Sequence, residues 1–273
     1  MLSYRHHYHA GNFADVFKHF CLFSALEYMT QKDKPLLYLD THSGAGIYQL
    51  DEKNREFDSG LGEFFRLDTS VLSEDLRNFR DFLLSLPQRG IIPRNAVAGS
   101  PIIAASLLRD NDSLHLCEMH STDFPILQRA VKNLRSRRTV ISPNDGFDAV
   151  KAALPPPSRR ALILIDPSYE IKSDYKRCIN ALQNTIKRLR SAVVLLWYPL
   201  LKRKITETEG FIPALIAEAE KAALPYFNQT FIQDKNADGM FGCAMFVLNP
   251  PYQFPEKVAL ASEILTKNLS KNY

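Results

Sequence analysis

The sequence predicts one large α/β domain: a mostly parallel sheet covered on both faces, interrupted by a helical insertion. Three observations predict it. The apolar strand candidates are unbroken runs, as in sheets buried on both sides. They alternate with helical patterns along the chain. Four successive strand candidates end in an acid, at Asp40, Glu118, Asp145 and Asp166, and the carboxyl ends of parallel strands line one ligand-binding crevice.

Composition narrows the class. The 273 residues suffice for one large domain with an insertion. No apolar run approaches the roughly 20 residues of a membrane span. The N-terminus Met1–His9 is polar and is not a secretory signal. Four scattered cysteines, Cys21, Cys117, Cys178 and Cys243, form no Cys-X-X-Cys pair; they read as reduced thiols in a cytoplasmic protein. A net charge of +4 permits an anionic partner such as nucleic acid without requiring one.

Helical spacing begins near Asn12, with Phe13, Val16, Phe17, Phe20, Phe23 and Leu26 on an apolar face and Lys18 and His19 on one turn. The histidines of this region lack a tight ligand pair backed by Cys or carboxylate, so they read as solvated or hydrogen-bonded rather than metal-bound. Leu36–Leu39 is a buried strand. It ends in Asp40 and feeds Gly44-Ala45-Gly46, a turn that lets a ligand approach the backbone closely. Gln49 breaks the full dinucleotide fingerprint, and an acid before the turn suits a cationic or amine-bearing ligand. Residues 50–94 carry polar turns and an amphipathic helix through Leu72, Leu76, Phe79, Leu83 and Leu86. That is too long for a simple crossover, and the domain is read as 1–49 plus 95–273, with residues 1–30 as a lid and helix.

Alternation then resumes. Gly99-Ser100-Pro101 opens a helix, since proline suits the first helical position. Ser113–Glu118, Thr139–Ile141, Ala161–Ile165, Ala192–Trp197, Phe227–Gln233 and Cys243–Leu248 are strand candidates, with helices near 123–135, 147–154, 174–189 and 212–223. Glu118, ending the second strand, can bond a ribose diol, and Asp145 can accept from an exocyclic amine. Helix capping is the competing explanation for both.

Asp166-Pro167-Ser168-Tyr169 is the most telling tetrapeptide. An amine conjugated to a base ring is a poor nucleophile. A carboxylate and the Pro167 carbonyl, each accepting one of its hydrogens, favour the pyramidal nitrogen that attacks. Tyr169 can stack on the base. Asn249-Pro250-Pro251-Tyr252 has the same pattern, but it follows the final strand. If that strand is antiparallel, its end points away from the crevice.

These features resemble a class I S-adenosylmethionine-dependent amino-methyltransferase. The blocks Met1–His6, His9–Asn12, Ala14–Val16, Lys18-His19, Lys32–Pro35, Tyr38–His42 with Gly44–Gly46, Gly99–Pro101, Asp145–Phe147 and Leu162–Pro167 with Tyr169-Glu170 resemble the RlmJ (YhiR) family. That family methylates N6 of adenine 2030 in bacterial 23S ribosomal RNA. The resemblance implies a Rossmann-like, seven-stranded, mostly parallel sheet whose last strand is antiparallel. It implies that Lys18, His19, Asp40, His42, Gly44, Gly46, Ser100, Glu118, Asp145, Gly146 and Asp166 contact or flank the cofactor. It places Tyr4 and His6 toward RNA, and Asp166, Pro167 and Tyr169 at the reaction. No metal is expected, because a sulfonium is already a good electrophile. The expected partner is 23S rRNA, naked or early in assembly, and the expected form a monomer. Ser168 departs from the family's second proline. The rival readings are a DNA amino-methyltransferase and a non-catalytic nucleic-acid-binding module.

Overall fold

A computed structural model describes residues 9–50, 55–132, 134 and 138–269, with the backbone alone at Arg55 and 204–208. Helix α1 (Phe13–Gln31) starts at Asn12, whose Oδ1 accepts the Asp15 N–H at 3.0 Å and so satisfies an orphan donor of the first turn. Every residue from Phe13 to Leu26 is buried. A helix buried all round belongs to the core, so Asp15, Lys18 and His19 need partners inside it.

Strand β1 (Leu37–Asp40) follows, then β2 (Ile47–Gln49). Three helical pieces come next: α2 (Arg55–Phe57), a π-turn over Asp58–Gly62 running into α3 (Glu63–Arg66), and α4 (Glu74–Gln88). Strand β3 (Ala96–Ala98) pairs antiparallel with β2. The alternating part runs α5 (Ser100–Leu107), β4 (Ser113–Cys117), α6 (Asp123–Lys132), β5 (Thr139–Ser142), α7 (Gly146–Ala153), β6 (Ala161–Ile165) and α8 (Ser173–Arg188). It closes with β7 (Val193–Leu201), α9 (Ile205–Lys221), β8 (Tyr226–Ile232), β9 (Met240–Leu248) and α10 (Phe254–Leu269).

Among the described residues the main sheet has seven strands in the order β5-β4-β1-β6-β7-β9-β8. Strand β1 pairs parallel with both β4 and β6. The last strand, β9, is antiparallel to both its neighbours. This is the Rossmann-like sheet the sequence predicts. The chain starts in the middle and departs in both directions, which opens a crevice at the carboxyl end of β1. Alternation along each strand feeds two cores. Tyr38 and Leu164 face α1, α5 and α10, whereas Leu39 and Ile163 face α7 and α8.

The helical segment between β2 and β3 has no separate core. Phe64, Leu76, Phe79 and Leu83 join the cluster around α1, and the Phe79 ring lies 5.8 Å from Phe20 and 5.5 Å from Phe23. Its π-turn rests on the backbone before α1: the Leu61 N–H donates to Gly11 O at 2.8 Å. A Cβ at Gly60 would come within 2.2 Å of that same oxygen.

Three elements were not foreseen. Strands β2 and β3 are three residues each, too short to carry a period. Helix α10 follows Asn249-Pro250-Pro251 and buries Phe254, Val258, Ala261, Leu265 and Leu269, a helical spacing that the preceding prolines mask.

Candidate active site

A cavity of about 590 Å³ lies at the carboxyl ends of β1, β6 and β7. Its wall brings together Lys18, His19, His42, Gly44, Ser100, Glu118, Asp166 and Pro167. These are sequence-predicted site residues drawn from five separate stretches of chain.

At one end is the loop after β1. Gly44 and Gly46 take φ of +61° and +76°, a region that favours glycine. A Cβ on Gly44 would stand 2.0 Å from Tyr48 Oη, the oxygen that accepts the Ala45 N–H at 3.1 Å. Gly44 N–H donates to Glu118 Oε2 at 2.7 Å, and His120 N–H to Glu118 Oε1 at 2.6 Å. Burial raises the Glu118 pKa, and those two backbone donors work against it.

Four expected ligand contacts lie off the cavity wall. Asp40 is fully buried and turns beneath the loop, accepting from Tyr38 Oη at 2.9 Å and the His42 N–H at 3.3 Å. Burial pushes its pKa up to about 6, although hydrogen bonds from Ser100 and Tyr38 restrain it. It braces the loop instead of meeting a ligand. Gly46 contributes its carbonyl to the Gly99 N–H at 2.7 Å. Asp145 follows the capping explanation: it accepts the Phe147 N–H at 2.9 Å and pairs with Arg177. Burial opposes ionisation there, but Arg177 outweighs it and lowers the pKa. The Arg177 guanidinium also covers the Phe147 ring at 4.3 Å. Gly146 is off the wall as well, and a Cβ on it would meet Thr41 O at 1.8 Å. His42 faces the cavity, edge-on to Phe147 at 4.9 Å. Burial lowers its pKa to about 4, so it is neutral at pH 7.

At the other end stands Asp166. Lys18 Nζ bonds Asp166 Oδ2 at 2.7 Å and Asp15 Oδ1 at 2.9 Å. Burial works against the ammonium, yet the two carboxylates hold its pKa well above the ordinary lysine value. The lysine expected beside the cofactor therefore grips the Asp166 carboxylate.

Tyr169 departs from its expected role. Its backbone takes φ +53°, uncommon for a non-glycine residue, which turns the ring into the core at 1% exposure. Its hydroxyl donates to Trp197 O at 2.6 Å, and its ring packs 4.8 Å from Tyr175. It presents no face to the cavity, so stacking on a base is not its place in this structure. Tyr4 and His6 lie outside the described residues. Sequence reading missed Asp15, Trp197 and Asp123, which also line the cavity. Only Asp15 carried a local signal, its i,i+3 spacing from Lys18.

Asn249 sits at the far edge. Leu248 pairs with Val194, near the amino end of β7, while the cavity opens at that strand's other end.

Residues 33–273 match the family model described as ribosomal RNA large subunit methyltransferase D, RlmJ. The chain belongs to this family. Two RlmJ-family relatives are named ribosomal RNA large subunit methyltransferase J. The Escherichia coli (strain K12) protein is 38% identical over 267 residues, covering 94% of this chain and 90% of that one. The Haemophilus influenzae (strain Rd) protein is 37% identical over 273 residues, covering 98% and 94%. A crystal structure from Legionella pneumophila (strain Philadelphia 1) superposes with a TM-score of 0.85 at 35% identity, covering 96% of this chain and 94% of that one.

Proposed function

We propose that the protein transfers a methyl group from S-adenosylmethionine to N6 of one adenine, position 2030, in 23S ribosomal RNA. Membership of the RlmJ family makes it an S-adenosylmethionine-dependent ribosomal RNA methyltransferase. The observation that carries the finer reading is the Asp166 carboxylate, aimed into the cavity beside Pro167 and gripped by Lys18.

The cavity's donor set fits the cofactor. Gly44 brings backbone to the cavity wall, and Glu118 offers a carboxylate beside it. Ser100, His42 and His19 complete that end. S-adenosylmethionine supplies an electrophilic methyl group on a sulfonium. The chain's own residues do the rest. Asp166 accepts one N6 hydrogen and the Pro167 carbonyl the other, which localises the nitrogen lone pair as charge develops. Lys18 fixes the rotamer of Asp166 through its hydrogen bond to Oδ2. Neutral His42 adds no charge that would repel a sulfonium. The base must leave its stack to reach Asp166.

Residues 50–94 form an insertion into the domain 1–49 and 95–273, bracketed by the β2–β3 ribbon. No described helix is long and apolar enough to cross a membrane. An rRNA substrate supports the reading of a cytoplasmic protein. Metal-free transfer follows from the electrophile's own reactivity.

Methyl transfer by the purified protein tests the reading. Naked large-subunit RNA should be methylated at adenine N6, with and without a chelator. Preferential methylation of DNA, or binding of RNA without turnover, would replace it with one of the two rival readings.

A further inference from the structure

The tetrapeptide's own tyrosine is buried, so another surface must hold the base beside Asp166. We infer that Trp197 is that surface: its indole stacks on the extruded adenine and sets N6 against Asp166 and the Pro167 carbonyl. The inference rests on the adenine-N6 reading above.

Four observations carry it. Ile165, the last residue of β6, pairs with Leu196, so Trp197 stands level with Asp166 on the adjacent strand. Its half-buried ring lines the cavity. Lys18 Nζ is at once 2.7 Å from Asp166 Oδ2 and 5.5 Å from the indole centroid, so ring and carboxylate flank one ammonium. Finally, Trp197 and Pro199 share a face of β7 by the two-residue period, and both line the cavity together with Leu201, which follows a register shift after Leu200, and Met240, the partner of Leu201 on β9. The result is a flat apolar stripe running outward from the acceptor carboxylate, which suits the faces of a purine.

The tetrapeptide explains how the platform is held. Tyr169 Oη donates to the Trp197 carbonyl at 2.6 Å, and its ring lies 6.3 Å from the indole. The tyrosine supports the strand from behind while the tryptophan meets the ligand. The other aromatics of the wall have different work: Tyr48 holds the glycine loop, and Phe13 is only 7% exposed and packs edge-on to Phe231.

Trp197 is the single tryptophan of the chain, so intrinsic fluorescence reports on it alone. In wild-type protein saturated with S-adenosylhomocysteine, adenosine 5′-monophosphate and a short adenine-containing RNA should change the emission saturably. A matched uridine RNA should not. Trp197→Leu should lower kcat/KM for large-subunit RNA by about 5- to 150-fold, the range of one base–aromatic stack. Trp197→Phe should recover most of that loss. S-adenosylhomocysteine affinity by calorimetry should be the same in both variants, which also shows that they fold. Suppose adenosine 5′-monophosphate binds by calorimetry but leaves the emission unmoved, or Trp197→Leu methylates RNA at the wild-type rate. The platform assignment then fails while the methyltransferase reading stands. If the wild type neither binds adenosine 5′-monophosphate nor methylates the RNA, both fall together.

Discussion

Asp166–Tyr169 and Asn249–Tyr252 share a residue pattern and sit at opposite edges of one sheet. At the first, the acid faces the cavity and the tyrosine is buried. At the second, the polar side chain is bound inward and the tyrosine is 72% exposed. Asn249 Nδ2 donates to Arg190 O at 2.7 Å and Ala192 O at 2.8 Å, closing the turn that leads into β7. The difference comes from strand direction. Parallel β6 delivers its last residue to the crevice, and antiparallel β9 delivers its last residue to the far side. A tetrapeptide acquires chemistry only from the edge to which its strand carries it.

The sharpest way to break this comparison is to remove each polar side chain. Asp166→Ala should lower the methyl-transfer rate constant about 10²-fold or more, the scale of losing one preorganised partner. S-adenosylhomocysteine affinity should fall much less. Turnover that survives Asp166→Ala but disappears in folded Asn249→Ala would reverse the assignment.

Asp40 tests the same edge by burial instead of reach. Its folded pKa, about 6, lies above the ordinary carboxyl value of 3.8. The folded state thus binds the proton more tightly than the unfolded chain does, so stability is greatest below pH 4 and falls as pH rises through 6. The change is on the order of 3 kcal/mol. Asp40→Asn cannot titrate. The difference between wild-type and variant unfolding free energies in denaturant should therefore depend on pH between 4 and 6, and a flat difference refutes the burial argument.

Glu118→Ala should weaken S-adenosylhomocysteine binding by roughly 1–3 kcal/mol, read by calorimetry. Unchanged affinity would mean that Glu118 serves only the Gly44 and His120 amides. At the far edge, Asn249→Ala loses two hydrogen bonds to backbone, so a denaturant titration should show a cost of about 2 kcal/mol with kcat unchanged. The smallest effect belongs to Ser168→Pro, within about 0.5 kcal/mol of wild-type stability and with full activity. A large loss there would show that the loop needs Ser168 itself.

What the chain discloses before folding follows from range. Strands β1 and β6 were legible because both faces are buried and their residues form unbroken apolar runs. That Glu118, Gly44 and Asp166 would meet at one crevice needed only their places at strand ends. Tyr169 was misread because its inward turn depends on a left-handed backbone that no residue type announces. Asp145 was ambiguous until Arg177, 32 positions later, came to its carboxylate. Trp197 could be placed only once β7 had a neighbour and a face.

Gly60 carries a consequence at the level of the gene. Every single-nucleotide missense change in a glycine codon introduces a Cβ. Here that atom would meet Gly11 O at 2.2 Å and the Asn12 carbonyl carbon at 2.4 Å, where both neighbours are backbone and cannot rotate aside. Helix α2, the π-turn and the segment it meets also supply Glu56, Ser59 and Asn12 to one side of the cavity. One codon without a tolerated neighbour thus keeps that wall in place, and random mutagenesis scored by RNA methylation should return no missense survivor at it.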